Sequence, residues 1–347
     1  MATYLGGSRT MTHTSRWAVL GAALAGLVTP LLVQPAQAAA PVYVALGDSY
    51  SSGTGTRSYI DDGTSCQRST QAYPSLIAAG RGYDLNFRAC SGATIPDVVG
   101  TQLDALSAAT SQVTISVGGN DAGFADVLTE CALPGWASDC DGAIDDAQAY
   151  VEGSLPGQLA SLYADIRGRA PSARVSVVGY PRIFMGEDCN ALTWFSPAEQ
   201  ERLNQMADLI NARTSTVAAA NGFAFANPTS AFVGHAVCDD PEWLNGLSNP
   251  ISESYHPNTL GHANGYTPVV SGSVGAALAV TPAIEAAADA SGSDQAARQQ
   301  QYAAADRTVE PKEFVAPDLT TPEVRRAARK AGVDLDAFIA RSERAAR

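Results

Sequence analysis

The chain has 347 residues, 46% of them hydrophobic and 16% charged, with a formal net charge of −13. That length allows one ample core or two modest ones, and the composition belongs to a folded protein, not a disordered one. No lysine precedes Lys312, so this acidic chain is a poor holder of phosphate backbones and no nucleic acid partner is expected.

The first element in chain order reads as an export signal, residues 1–38. Arg9 and Arg16 precede an apolar run over 17–33, and Ala36-Gln37-Ala38 has the small-x-small pattern that signal peptidases accept. The run is short for a membrane span, and Pro30 interrupts it. Cleavage after Ala38 is expected, giving a secreted, extracellular protein with a net charge of about −15.

The catalytic part, 39–282, opens on an apolar stretch that runs into Gly47-Asp48-Ser49 and reads as a buried strand followed by a tight turn. Further strands are expected at 83–89, 113–117, 174–178 and, more weakly, 223–226. Helices are expected at 73–79, over a long stretch 143–169, and at 197–221. In the last, Ser196 caps, Pro197 takes the first turn and Glu199 completes a capping box. A final helix follows Pro257 and includes 261–266. Alternating strands and helices predict a parallel sheet covered on both faces, whose ligands bind beyond the carboxyl ends of the strands. Gly47-Asp48-Ser49, Cys90-Ser91-Gly92 and Gly118-Gly119-Asn120-Asp121 each directly follow an expected strand.

Beyond about Pro282 the composition changes. Residues 283–347 are rich in Ala, Gln and charge, and few are large and apolar. They read as a flexible, partly helical extension with Val324, Ala328, Leu335 and Phe338 as apolar points, or alternatively as a docking or cell-wall contact segment.

Cys66, Cys90, Cys131, Cys140, Cys189 and Cys238 are even in number and follow an export signal, so disulfides are expected. Sequence alone does not choose among the 15 pairings of six cysteines; sequential pairing is the simplest. Without CxxC or HxxxH spacing, no metal site is expected.

A serine nucleophile needs a base, an orienting group and an oxyanion site. Ser49 follows a strand in a glycine-bearing turn, where a helix head favours a developing anion. Among the histidines, His13 leaves with the signal, His235 sits in a loop before Cys238, and His262 lies where a helix starts. His256, in Ser254-Tyr255-His256-Pro257-Asn258, is the candidate base. Glu253, three residues earlier, is a candidate orienting group; the Ser254 carbonyl is the other. Gly92 and Asn120 are candidate oxyanion donors beside Ser49.

In order, Gly47-Asp48-Ser49, Gly92, Gly118-Gly119-Asn120-Asp121 and His256-Pro257-Asn258 resemble the GDSL/SGNH hydrolases, and most closely the secreted actinobacterial (Streptomyces-type) esterases, lipases and phospholipases A1. The resemblance spans about 42–281. It implies an α/β fold: a three-layer α/β/α sandwich around a five-stranded parallel sheet, flavodoxin-like in type. It implies Ser49 as nucleophile, His256 as base, and Ser49, Gly92 and Asn120 as the oxyanion hole. It also implies the disulfides Cys66–Cys90, Cys131–Cys140 and Cys189–Cys238, and no cofactor. The family commonly places Asp three residues before the histidine; Glu253 stands there in this chain, so triad or backbone-assisted dyad stays open.

Trp136, Phe184, Met185, Trp194, Phe195, Phe232, Trp243 and Leu244 either form a rim for acyl chains and lipid surfaces or pack beneath disulfide-tied loops. Arg57, Arg88 and Arg182 are candidate phosphate binders. The expected substrate is a carboxylic ester of lipid type, handled by a monomer. The alternatives are a carbohydrate O-acetyl esterase on the same scaffold and a non-catalytic binding module.

Overall fold

In the computed structural model, which describes residues 39–345, five strands form one parallel sheet: β1 (Val42–Gly47), β2 (Asp84–Phe87), β3 (Thr110–Ser116), β4 (Arg174–Val178) and β5 (Ala224–Ala226). Their order is β2-β1-β3-β4-β5. Central β1 is buried from Tyr43 to Gly47, as a strand covered on both faces must be. The helices Cys140–Gly153, Leu155–Arg169 and Pro197–Ala220 pack on one another as one layer. Tyr73–Arg81 and Thr267–Ser273 belong to the other. The fold is a three-layer α/β/α sandwich. The chain leaves β1 toward β2 on one side and returns to β3 on the other, so a crevice opens where those two directions part, at the carboxyl ends of β1 and β3.

Two elements differ from expectation. The stretch 143–169 is two helices that meet at Ser154-Leu155. Pro156 stands in the first turn of the second helix, where its missing N–H costs nothing; within a continuous helix its ring would meet the carbonyl four residues back. The residues from Pro282 on are not a loose extension. Helix Pro282–Ala290 packs on Tyr73–Arg81, and Gly292–Gln299 packs on edge strand β2. Asp306 is 0% exposed, and its carboxylate bonds both Arg68 (2.6 Å) and Arg88 (2.9 Å), themselves fully buried. The described residues from Ala40 on form one compact unit. This part of the chain packs through small side chains such as Ala288 and Ala303, a few larger ones such as Val309, Phe314 and Leu319, and the buried Asp306 carboxylate, so its apolar content stays low. The export-signal reading of 1–38 lies outside the described residues. Disulfides join Cys66 to Cys90, Cys131 to Cys140 and Cys189 to Cys238.

Candidate active site

The turn after β1 is built to hold one hydroxyl. Gly47 has φ +123°, and a side chain there would collide with the Ser116 backbone, so the chain can turn sharply beside β3 only as glycine. Asp48 caps the four-residue helix Ser49–Ser52, its carboxylate accepting from Tyr50 N–H at 3.0 Å. The same carboxylate accepts from Ser116 Oγ (2.6 Å) and from the Tyr180 hydroxyl (2.5 Å). Burial pushes Asp48 up to about 6 against these bonds. Ser49, 7% exposed, thus stands at the head of a helix whose first N–H groups have no helical partner.

His256 reaches Ser49 from the far end of the chain. Its Nε2 lies 2.8 Å from Ser49 Oγ, and its Nδ1 lies 2.9 Å from the Ser254 carbonyl. A carbonyl only accepts, so Nδ1 carries the hydrogen and Nε2 is the free acceptor for the serine hydroxyl. Tyr255, with φ +60°, makes the turn that folds the ring back on Ser254. That strain is held in place: Tyr255 N–H donates to the Asn245 carbonyl, its own carbonyl accepts from the Tyr50 hydroxyl at 2.7 Å, and its ring is buried.

Of the two orienting groups expected from sequence, the structure brings the Ser254 carbonyl to the ring and not Glu253. The Glu253 side chain is 1% exposed and is occupied by Arg57 Nε at 2.7 Å and the Tyr59 hydroxyl at 2.8 Å. Burial lowers the His256 pKa to about 4, against smaller upward pulls from the Ser254 carbonyl and the Glu253 charge. The imidazole is therefore neutral, and able to take a proton, far below the usual histidine range. We expect the acid limb of a kcat/KM profile near pH 4, because only below that value does the ring become an imidazolium that cannot accept. An acid limb at pH 6 to 7, the ordinary histidine range, would count against this environment.

Asn120 lies on the loop after β3 and donates through Nδ2 to the Ala93 carbonyl at 3.0 Å, leaving its second amide hydrogen for another acceptor. Gly92, with φ +85°, sits on the turn tied to Gly47 through Cys90 N–H and to Cys66 by the disulfide. Ser49, Asn120 and His256 line one pocket; Gly92 stands outside that lining. The pocket walls are apolar. Leu203, Met206 and Ile210 come from one face of helix Pro197–Ala220, and Phe124 and Leu128 from helix Phe124–Cys131.

The other two histidines among the described residues, His262 and His235, are held in packing. His262 is buried, accepts from Tyr73 N–H at 3.3 Å and stacks on the Tyr73 ring. His235 is stacked on Trp243, with 3.8 Å between ring centres. Phe184, Phe195, Phe232 and Leu244 are buried and do not form an open rim; Met185 is exposed. Arg88 is sealed against Asp306 and is no phosphate site, while Arg57 and Arg182 are exposed and paired with Glu253 and Asp208. Sequence reasoning missed Tyr180 and Asn211. The Asn211 amide clamps both backbone groups of Tyr180 (2.8 and 2.7 Å), which fixes the hydroxyl on Asp48. The signal for Tyr180 was its place just after β4, at the same sheet edge as the other motifs.

Fold and site together define a hydrolase acting on carboxylic esters. The chain belongs to the GDSL-like lipase/acylhydrolase family, whose sequence profile matches residues 45–263. It is 46% identical over 255 residues to Lipase 1 of Streptomyces coelicolor, covering 73% of this chain and 93% of that one. The solved structure of an extracellular lipase from Streptomyces rimosus matches with a TM-score of 0.64 and 44% identity, over 67% of this chain and 100% of that one. Phospholipase A1 from Streptomyces albidoflavus matches with a TM-score of 0.64 and 43% identity, over 68% and 100%.

Proposed function

We infer that this chain is an exported lipid esterase working through an acyl-enzyme on Ser49, in the manner of lipases and phospholipases A1. The observation that carries the reading is the Ser49 Oγ to His256 Nε2 bond of 2.8 Å, with the other ring nitrogen held by a carbonyl. His256 takes the hydroxyl proton as Ser49 Oγ bonds to the ester carbonyl carbon. The resulting oxyanion meets the Ser49 N–H and the spare hydrogen of the Asn120 amide, to which the family resemblance adds the Gly92 N–H from outside the pocket lining. The carbon–alkoxy bond breaks, the alkoxide takes the proton from His256, and water repeats the sequence to free the acid. The apolar walls from Phe124 to Ile210 fit an acyl chain, and relatives named lipase and phospholipase A1 support lipid esters. The signal at 1–38 and an extracellular relative support export, which is checked by sequencing the protein from culture medium: its first residue should be Ala39.

The test is hydrolysis of p-nitrophenyl esters of rising chain length, phosphatidylcholine, triacylglycerol and acetylated xylan by the wild type and by Ser49→Ala. Cleavage of lipid esters by the wild type alone is expected. Preference for acetylated xylan would move the enzyme to carbohydrate deacetylation, and equal inactivity of both folded proteins would favour a binding module. Asn120→Ala should lose about 10²–10³ in kcat with the fold intact; activity within threefold of wild type would remove Asn120 from the oxyanion site.

A further inference from the structure

The segment that follows Asp306 contributes to the lining of the site. Its near end is fixed by the Asp306 carboxylate between Arg68 and Arg88, and by Val309, buried with Cys66, Cys90 and Ala93. Glu310, Pro311 and Lys312 then lie against Gly92 so closely that a Cβ there would stand 2.5 Å from the Glu310 carbonyl oxygen. The Lys312 and Phe314 side chains line the same pocket as Ser49 and His256. Phe314 is 4% exposed and packs edge-on against Tyr255, with ring centres 5.0 Å apart, next to the candidate base. The far end is fixed by Val315 N–H on Thr129 Oγ1 at 2.9 Å, and by Leu319 in a cluster with Trp136 and Trp194. Residues 309–318 have no helix or strand of their own; they are a strap held at both sides. The family match stops at residue 263, so the strap is a feature of this chain's extension and not of the matched family region.

We propose that Phe314 is a specificity-determining residue: the strap lays it across the apolar pocket as a wall that limits the length of acyl chain able to reach Ser49. This rests on the esterase reading of the same site. The sheet and its loops supply the reacting groups and an apolar trough between helices Phe124–Cys131 and Pro197–Ala220; the strap closes that trough near the tyrosine that carries the His256 turn. An aromatic ring in a packed wall excludes volume without a polar partner to be displaced, so substitution at 314 changes the size of substrate admitted and leaves the serine–imidazole pair in place.

The experiment compares full-length wild type, Phe314→Ala and Phe314→Trp, each checked for a cooperative melt. The readout is the ratio of kcat/KM for p-nitrophenyl palmitate to that for p-nitrophenyl butyrate. Added or lost methylenes in an apolar pocket change such ratios by about 10–200-fold. The ratio should rise at least about tenfold in Phe314→Ala and fall in Phe314→Trp. One shared ratio, or a shift in the same direction in both variants, would overturn the wall. If the wild type cleaves neither ester, it is the esterase reading that fails. The wall is then read without turnover, from calorimetric binding of palmitate against butyrate to Ser49→Ala proteins carrying the same three residues at 314. Opposite shifts in binding preference would support it, and identical preferences would overturn it.

Discussion

His256→Ala is expected to lower kcat by at least about 10⁴-fold on any ester the wild type cleaves, with the melting midpoint little changed. Among the described residues, His256 Nε2 is the basic group bonded to Ser49 Oγ, while the Asp48 carboxylate is engaged by Tyr50 N–H, Ser116 and Tyr180. The loss should match that of Ser49→Ala, because a nucleophile and base that act as one unit fail together, and the double variant should lose no more than either alone. Glu253→Gln makes the informative contrast. In a triad held by a carboxylate, such a change costs about 10⁴; with the imidazole held by the Ser254 carbonyl, a loss below about tenfold is expected. Removing the Glu253 charge also removes one of the groups that raise the His256 pKa, so the acid limb should move lower, not higher. A loss near that of His256→Ala would show that Glu253 does more than hold Arg57 and Tyr59.

Asp306→Ala should be the most destabilising single change outside the sheet. Arg68 and Arg88 are both fully buried, and Asp306 is the carboxylate they share; Arg68 also holds Asp62, and Arg88 keeps Gln299 and the Tyr302 ring. Removing one member of a buried ionic group strands the others without solvent, at a cost of about 3–5 kcal/mol. For a chain of this size that corresponds to a fall in melting midpoint of roughly 5–8 °C. Asp208→Ala, which breaks the half-exposed pair with Arg182, is the control and should stay within about 1 kcal/mol of wild type. Equal midpoints for the two variants would mean that water or a neighbouring group takes over the role of Asp306.

The sheet edge was legible because the signals are local. Each of Gly47-Asp48-Ser49 and Gly118-Gly119-Asn120-Asp121 directly follows an apolar run, and Ser196, Pro197 and Glu199 announce their helix within four residues. The break before Pro156 is equally local, since the proline itself marks it. The partner of the His256 ring was not legible. It depends on Tyr255 adopting φ +60°, and a carboxylate three residues upstream is an equally good candidate until that turn is known. The packing of the C-terminal residues was hidden for another reason. Asp306 is 238 residues from Arg68, and neither charge carries any periodicity that would mark it as buried. A composition poor in large apolar residues says only that a segment cannot form a core alone; here it borrows one.

Trp136 and Trp194, which the sequence left between a lipid-facing rim and packing beneath disulfide-tied loops, lie under the last helices. Both rings contact the Phe338 side chain, with ring centres 5.4 and 5.7 Å away. Trp243 sits elsewhere, stacked on His235, and Trp17 falls in the segment ahead of residue 39. Two of the three indoles after residue 38 therefore share one shelter, and it is the shelter that the C-terminal helices provide. The molecule carries a built-in optical gauge of whether those helices are seated: lifting them would wet two indoles at once and shift the emission to longer wavelength, while the third keeps its neighbour and serves as the internal standard.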